Sequence, residues 1–374
     1  MKINFFGDFV SNNDCEDLFI SKELSDIING ADINIVNFEA PVILDSDILS
    51  KSIKKSGPSL HQGSESVIWL KANGFDVAAI ANNHIMDYGD YGLIETLRSF
   101  GNFPIIGAGC WSEAYKPYII SLQGMKTAFF SFTHNEFGVL RDFWDKRYDK
   151  GTAWINYHDV DQLIIDTKKK VDRLFIFAHA GVEHLQQPLP EWRDRYRSFI
   201  DLGCDGVIAS HPHIIQGWEV YKDKPIVYSL GNFYFPKAKI MNSDWYRSIC
   251  ASIICDKNKV CFKIIPIKFD HNEIKIDHSK DIDLYLKQIN DTLSNDVLYM
   301  KYINDACINL LSNYYSLFSE GGLTPFKPIR YIKNTLLKLI GKEFSHPEHL
   351  INNLWCESHR YCICRALKII EDIR

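Results

Sequence analysis

The sequence predicts a layered α/β fold, and three observations carry that expectation. Short apolar and β-branched runs alternate with helix-length amphipathic segments over roughly the first two hundred residues. Turn-forming residues such as Gly, Asn, Asp and Ser punctuate these runs. Five runs end in side chains able to bind a metal or move a proton: Asp8, Glu39, Asn83-His84, His179, and His211 with His213. Parallel strands bring such ends to one edge of a sheet, where ligands of open α/β sheets collect.

The elements follow in order. Ile3 to Phe6 is the first strand. Residues 16 to 29 carry helical spacing through Leu18, Phe19, Leu24, Ile27 and Ile28, and Ile33 to Val36 is the second strand, ending at Asn37-Phe38-Glu39. Residues 46 to 63, with Lys51, Lys54, Lys55, Gly57 and Pro58, lack periodicity and read as a long surface loop whose lysines are solvated or meet an anionic substrate. Ser64 to Ala72 is a helix, and the run from Val77 is a buried strand that delivers Asn82, Asn83 and His84, or else a loop with a tight Asn turn. A helix over Tyr91 to Phe100, strands over Pro104 to Ile106 and Met125 to Phe132, and an irregular loop over residues 135 to 158 come next. Asp159 to Lys170 is helical, and Arg173 to Phe177 is a strand ending at His179-Ala180-Gly181-Val182-Glu183. Pro190 to Leu202 is an amphipathic helix, and the strand Gly206 to Ala209 ends at Ser210-His211-Pro212-His213. Ile226 to Ser229 leads to Asn232, and residues 249 to 255 and 260 to 269 form a hairpin of edge strands. Beyond residue 276 the pattern turns helical, over 281 to 318, 328 to 340 and 347 to 373. The expected division is a site-bearing domain over 1–275 and a helical C-terminal appendage over 276–374.

Composition narrows the function classes. A net charge of -5 offers no broad attraction to a phosphate backbone, which argues against nucleic acid and leaves small anionic substrates open. No apolar run is long enough to span a bilayer, and the first residues lack a signal-peptide pattern, so a cytoplasmic location is expected, with a peripheral membrane contact as a variant. The ten cysteines lack the spacing of a disulfide framework and read as reduced thiols.

Carboxylates, an amide oxygen and imidazoles gathered at one sheet edge make a donor set suited to a pair of borderline divalent cations. In their order along the chain, Gly7-Asp8, Asn37-Phe38-Glu39, Ala81-Asn82-Asn83-His84-Ile85-Met86-Asp87-Tyr88-Gly89, His179-x-Gly-x-Glu183, Ser210-His211-Pro212-His213 and Leu230-Gly231-Asn232-Phe233 resemble the CapA family of capsule and poly-γ-glutamate synthesis proteins. That family falls within the calcineurin-like metallophosphoesterase superfamily. The resemblance implies a metallophosphatase-like layered sheet sandwich flanked by helices. It also implies that Asp8 binds one metal, Glu39 bridges two, Asn83, His179 and His211 hold the second, and His213 returns to the first. His84 would stand by the leaving group, oriented by Asp87. Glu183 joins them as a partner behind the ligands, a further ligand or a substrate contact, and Asn82 and Asn232 are the candidate substrate contacts.

The implied activity is hydrolysis of a phosphate ester by a metal-activated hydroxide in the making or modification of a capsule or cell-surface polymer. The substrate would be a small anionic compound or a polymeric glycan or poly-amino acid. Two alternatives stand beside it: a metal-dependent transferase or amide-forming enzyme in polymer assembly, and a non-catalytic scaffold subunit of a polymer-synthesis complex. Val10 stands where the superfamily carries a His, so the first metal lacks one imidazole, and oxygen-rich ligation there favours Mn2+ or Mg2+ over Zn2+, with Fe2+ a further option. In the C-terminal region Cys356, His359 and Cys362 are spaced by three, so one helix face could gather them as a metal site or simply pack them; Ile329 to Ile340 could lie on anionic lipid or dock as a helix.

Overall fold

Side-chain alternation along the strands builds two facing sheets. In the strand Lys2–Phe9, Ile3 and Phe5 point into the layer between the sheets and Phe6 points away from it. The strand Arg173–His179 does the same from the other side, with Phe175 and Phe177 inward and Leu174 and Ile176 outward. Phe5 and Phe177 meet edge to face at 5.7 Å in the layer between. The computed structural model describes residues 1–11, 15–140, 149–236, 243–320 and 347–373.

In the first sheet Ile33–Phe38, Val77–Ala79 and Ile105–Ile106 extend parallel from one side of Lys2–Phe9, and Arg247–Cys255, Val260–Asp270 and Glu273–Ile276 extend antiparallel from the other. In the second, Met125–Thr133, Arg173–His179, Gly206–Ser210 and Lys224–Val227 are parallel, with Tyr118–Leu122 and Trp218–Tyr221 antiparallel at the margins. The carboxyl ends of both parallel sets meet at one rim. A small sheet of Ala108–Cys110, Lys150–Ala153 and Val139–Leu140 lies beyond them.

Helices cover both outer faces. Lys22–Asn29, Glu65–Ala72 and Gly89–Phe100 bury Leu24, Ile28, Leu70, Leu93 and Phe100 on the first sheet, and Pro190–Asp201 buries Trp192, Tyr196 and Phe199 on the second. The C-terminal helices continue this layer: Ile303, Cys307, Cys362 and Ala366 share the outer cluster of the second sheet.

Four expectations change. The helix expected over 16–29 starts only at Lys22, capped by the Ser21 hydroxyl, because Phe19–Ile20 is spent as a strand beside Glu273–Ile276. Val260–Asp270, expected at the edge, is interior because Glu273–Ile276 pairs along it. The helix expected over 281–318 breaks at Asn295, whose side chain accepts the amides of Val297 and Leu298, both at 3.1 Å, and so starts a new helix. A second break separates Pro347–Trp355 from Glu357–Ile373 at Cys356. The run from Ile329 to Ile340 lies outside the described residues. All ten cysteines are free thiols, and no helix among the described residues is long and apolar enough to cross a membrane.

Candidate metal centre

Strict alternation would turn Asp8 to the outer face with Phe6. A bulge at Gly7 prevents this: Phe6 pairs with Val36, and Asp8, not Gly7, pairs with Asn37. The Gly7 backbone packs against the carbonyl of Gly231 so closely that a Cβ would overlap it. The result is that Asp8 faces the rim between the sheets, where its Oδ1 accepts from Asn37 Nδ2 at 2.7 Å and from the Ser210 hydroxyl.

Two sets of ligand atoms converge there. Asp8, Glu39 and His213 form one, and Glu39, His179 and His211 the other, with the atoms of each set within 4.8 Å of one another. Glu39 belongs to both. Its Oε1 lies 3.5 Å from His179 Nε2 and 3.6 Å from His213 Nε2. Asn83 Oδ1 is 3.0 Å from His179 Nε2, and His211 Nδ1 is 3.1 Å from that same nitrogen. His211 and His213 both have left-handed backbones, at φ 103° and 60°, costing about 1–3 kcal/mol each. This strain sits at two proposed ligands. All six residues carried over as metal ligands are therefore brought together.

The electrostatics fit cations. Burial, reinforced by Asp8, holds the Glu39 carboxyl well above the usual carboxylate range. Burial also pushes His179 and His211 well below the ordinary histidine value, which favours the neutral imidazole that a metal ligand requires. Burial opposes charge on His213 too, but Asp8 outweighs it and raises the ring. Glu39 Oε1 is buried and makes no hydrogen bond. An unsatisfied buried carboxylate oxygen between two imidazoles is an anomaly in a metal-free protein and a requirement in a bridged metal pair.

The remaining candidates divide by what they touch. His84 Nδ1 is 2.8 Å from Asp87 Oδ2, as the orienting role of Asp87 requires. Asn82 is fully buried and does not reach the pocket; its Oδ1 accepts the amides of His84 and Ile85, and its Nδ2 donates to Phe38 O at 2.8 Å, so it holds the turn that carries His84. Asn232, expected at the substrate, is 3.0 Å from His213 Nδ1 and donates to the His213 and Trp245 carbonyls, which fixes that ring. Glu183 is exposed and lines a cleft of ≈ 360 Å³ with Asn83, His84 and His211. Val10 packs with Ala40, Phe235 and Trp245, so hydrophobic contact fills the position where an imidazole was missing.

Two residues escaped the sequence reading. Asn37 Nδ2 lies 3.1 Å from His179 Nδ1 as well as on Asp8, tying the two ligand sets together; its place two residues before Glu39 on a strand was the available signal. Lys55, read as solvated or facing an anionic substrate, has a side chain only 2% exposed, which pairs with Asp87 Oδ1 at 2.5 Å. It also lies 3.1 Å from His84 Nδ1 and 4.8 Å over the Phe137 ring. Asp87 anchors the loop further by accepting Leu60 N at 2.7 Å.

Residues 4–237 match the family described as Bacterial capsule synthesis protein PGA_cap. The chain belongs to that family. It is 24% identical over 293 residues to the capsule biosynthesis protein CapA of Bacillus anthracis, a match covering 76% of this chain and 69% of the relative. It is 34% identical over 217 residues to the PGA biosynthesis protein CapA of Bacillus subtilis, covering 56% and 54%. The expected resemblance to CapA is thus met. Among solved structures it is similar to a putative 5'-nucleotidase from Staphylococcus aureus in complex with alpha-ketoglutarate (15% identity, 78% and 58% coverage, TM-score 0.43). A phosphatase of Mycoplasma pneumoniae gives 13% identity, 72% and 94% coverage and a TM-score of 0.42.

Proposed function

We propose that this chain is a dinuclear metal-dependent phosphoesterase-like hydrolase serving capsule or poly-glutamate synthesis. The observation that carries the reading is Glu39, whose carboxylate is shared by two ligand sets and whose buried Oε1 makes no hydrogen bond. The capsule setting comes from the family and from the names of the Bacillus relatives.

Asp8 and His213 would hold one cation, His179, His211 and Asn83 the other, with Glu39 between them. Such a pair lowers the pKa of a shared water, holds a phosphoryl oxygen and offsets charge in an in-line displacement. The chain's own part is positioning and proton handling. His84 lies on the cleft wall with Nδ1 turned to Lys55 and Asp87, which leaves Nε2 for the substrate. Burial and the Lys55 cation lower its pKa, so the ring is neutral near pH 7. Asp87 Oδ2 can only accept, so the ring proton points to it from Nδ1, and Nε2 faces the cleft with a lone pair that can take up and pass on a proton. Mn2+ or Mg2+ suits the oxygen-rich first set, which has a single imidazole.

The test is elemental analysis followed by assay on a panel of phosphate esters, for wild type, His84→Ala and His211→Ala. About two equivalents of metal in the wild type and loss of turnover in both variants are expected, with His84→Ala retaining its metal. Wild-type turnover in both variants at full metal content would end the proposal.

A further inference from the structure

A second group of ligand-type side chains borders the same cleft and takes no part in the chemistry above. Glu136 follows the strand Met125–Thr133, and Cys356 and His359 stand at the junction of Pro347–Trp355 and Glu357–Ile373. A Glu136 oxygen, Cys356 Sγ and a His359 ring nitrogen lie within 4.8 Å of one another. Glu136 also groups at that spacing with His134 and His211, so the cluster abuts the centre already described.

A frame that needs no ion holds these groups in place. The buried Glu357 carboxylate accepts from Asn135 N at 2.8 Å, Trp154 Nε1 at 3.0 Å and Asn156 Nδ2 at 2.6 Å. Ser358 Oγ accepts from Trp192 Nε1 at 3.0 Å and lies 3.0 Å from His134 Nδ1. Within this frame one polar pair is left over. Glu136 Oε2 and His134 Nε2 are buried without hydrogen bonds, 3.3 Å apart, with side chains 8% and 0% exposed. The other oxygen of this carboxylate accepts from Asn352 Nδ2 at 3.2 Å, whereas Oε2 makes no hydrogen bond of good geometry, even to His134, and has a thiol and an imidazole beside it, which is the second sign of a cation position.

We infer that Glu136, Cys356 and His359 form a third divalent-cation site, next to His211 and distinct from the two sets that share Glu39. One thiolate, one imidazole and one carboxylate make a zinc-type donor set. Three protein ligands leave a fourth position open, and Glu136 and His359 both line the cleft, so that position faces the substrate space. Binding exchanges the Cys356 thiol proton for the cation and releases the proton to solvent. Cys362, which shares the helical spacing, is not a ligand: its thiol is hydrogen-bonded with Cys307 in the core.

The test uses the full chain, stripped with a chelator and titrated with Co2+ under absorption spectroscopy. The centre around Glu39 offers only oxygen and nitrogen donors, so a near-ultraviolet thiolate-to-cobalt charge-transfer band reports on a cysteine ligand. The band should correspond to one cobalt per chain out of a total uptake of about three, be displaced by Zn2+, and vanish in Cys356→Ser. In His359→Ala, which alters a half-buried side chain, Co2+ affinity read from the band should drop by about tenfold or more. Visible cobalt absorption that saturates in the wild type with no thiolate band would overturn the inference, as would a band that survives Cys356→Ser. A thiolate band with a total uptake of only one equivalent would support this site and count against the dinuclear reading, so the two stand or fall separately.

Discussion

Lys55→Met isolates the buried charge pair beneath His84. Lys55 and Asp87 are 2% and 0% exposed and 2.5 Å apart, and removing one partner of such a pair costs about 3–5 kcal/mol because the other charge stays buried and uncompensated. Here an alternative partner stands ready. His84 Nδ1 is 2.8 Å from Asp87, and Lys55 is one of the causes that lower its pKa, after burial itself. In the variant that restraint is gone while Asp87 remains, so the His84 pKa rises and a protonated ring takes over the pairing. Burial still lowers that pKa in the variant, but without Lys55 the lowering is smaller, so taking up the His84 proton as pH falls destabilises the variant less than the wild type. The loss in Lys55→Met is therefore near its full 3–5 kcal/mol at pH 8.5 and smaller at pH 5.5, by about 1.4 kcal/mol for each unit of the His84 shift. Urea unfolding at both pH values, followed by tryptophan fluorescence, measures it. The double variant Lys55→Met/Asp87→Asn, which removes both charges, should lose less than Lys55→Met alone. A loss that is equal at the two pH values, or below about 1 kcal/mol at pH 8.5, refutes the reasoning.

Three further outcomes are expected. Asn37→Ala removes no ligand but frees Asp8 and His179, so Mn2+ affinity measured by calorimetry should fall by about 10–100-fold. Gly7→Ala drives a Cβ into the Gly231 carbonyl and should lower stability in urea unfolding by about 1–3 kcal/mol or more, with metal affinity falling as Asp8 is displaced. In metal-free protein, burial lowers the pKa of His84, His179, His211 and His359, while within the metal centre His213 and Glu39 shift upward. Groups with lowered histidine values bind fewer protons folded than unfolded below about pH 6.5, so stability should fall on acidification by up to about 1.4 kcal/mol per pH unit for each, partly offset by the other two. Thermal unfolding between pH 5 and 7 tests the sign.

The site was legible because strand ends are written locally: an apolar run followed by Asp8, Glu39, Asn83, His179 or His211 needs no tertiary knowledge to be seen. What depends on three dimensions was not. The Gly7 bulge is invisible in a run that simply alternates, yet it alone turns Asp8 toward its partners. Lys55 looks like any loop lysine until Asp87, distant in the chain, buries it. Asn82 and Asn232 have the chemistry of substrate contacts, and only the fold shows their amides spent on a turn and on a ring. The strand at Phe19–Ile20 was hidden by helical spacing because its partner lies near residue 274. Helix breaks at Asn295 and Cys356 were missed for a related reason, since the surrounding sequence keeps its periodicity across both.

The acceptor for Asn135, Trp154 and Asn156 comes from Glu357, 222, 203 and 201 residues downstream. At a synthesis rate of about 5–20 residues per second, those three donors wait roughly 10 to 45 seconds for their carboxylate to leave the ribosome. By then every side chain proposed to grip the paired ions, from Asp8 through His213, has long been made. Ions can thus be captured on an open half-built rim, and the last helices arrive afterwards to wall it in. Order of birth along the chain would then decide which cations are available to the centre and which only to the wall.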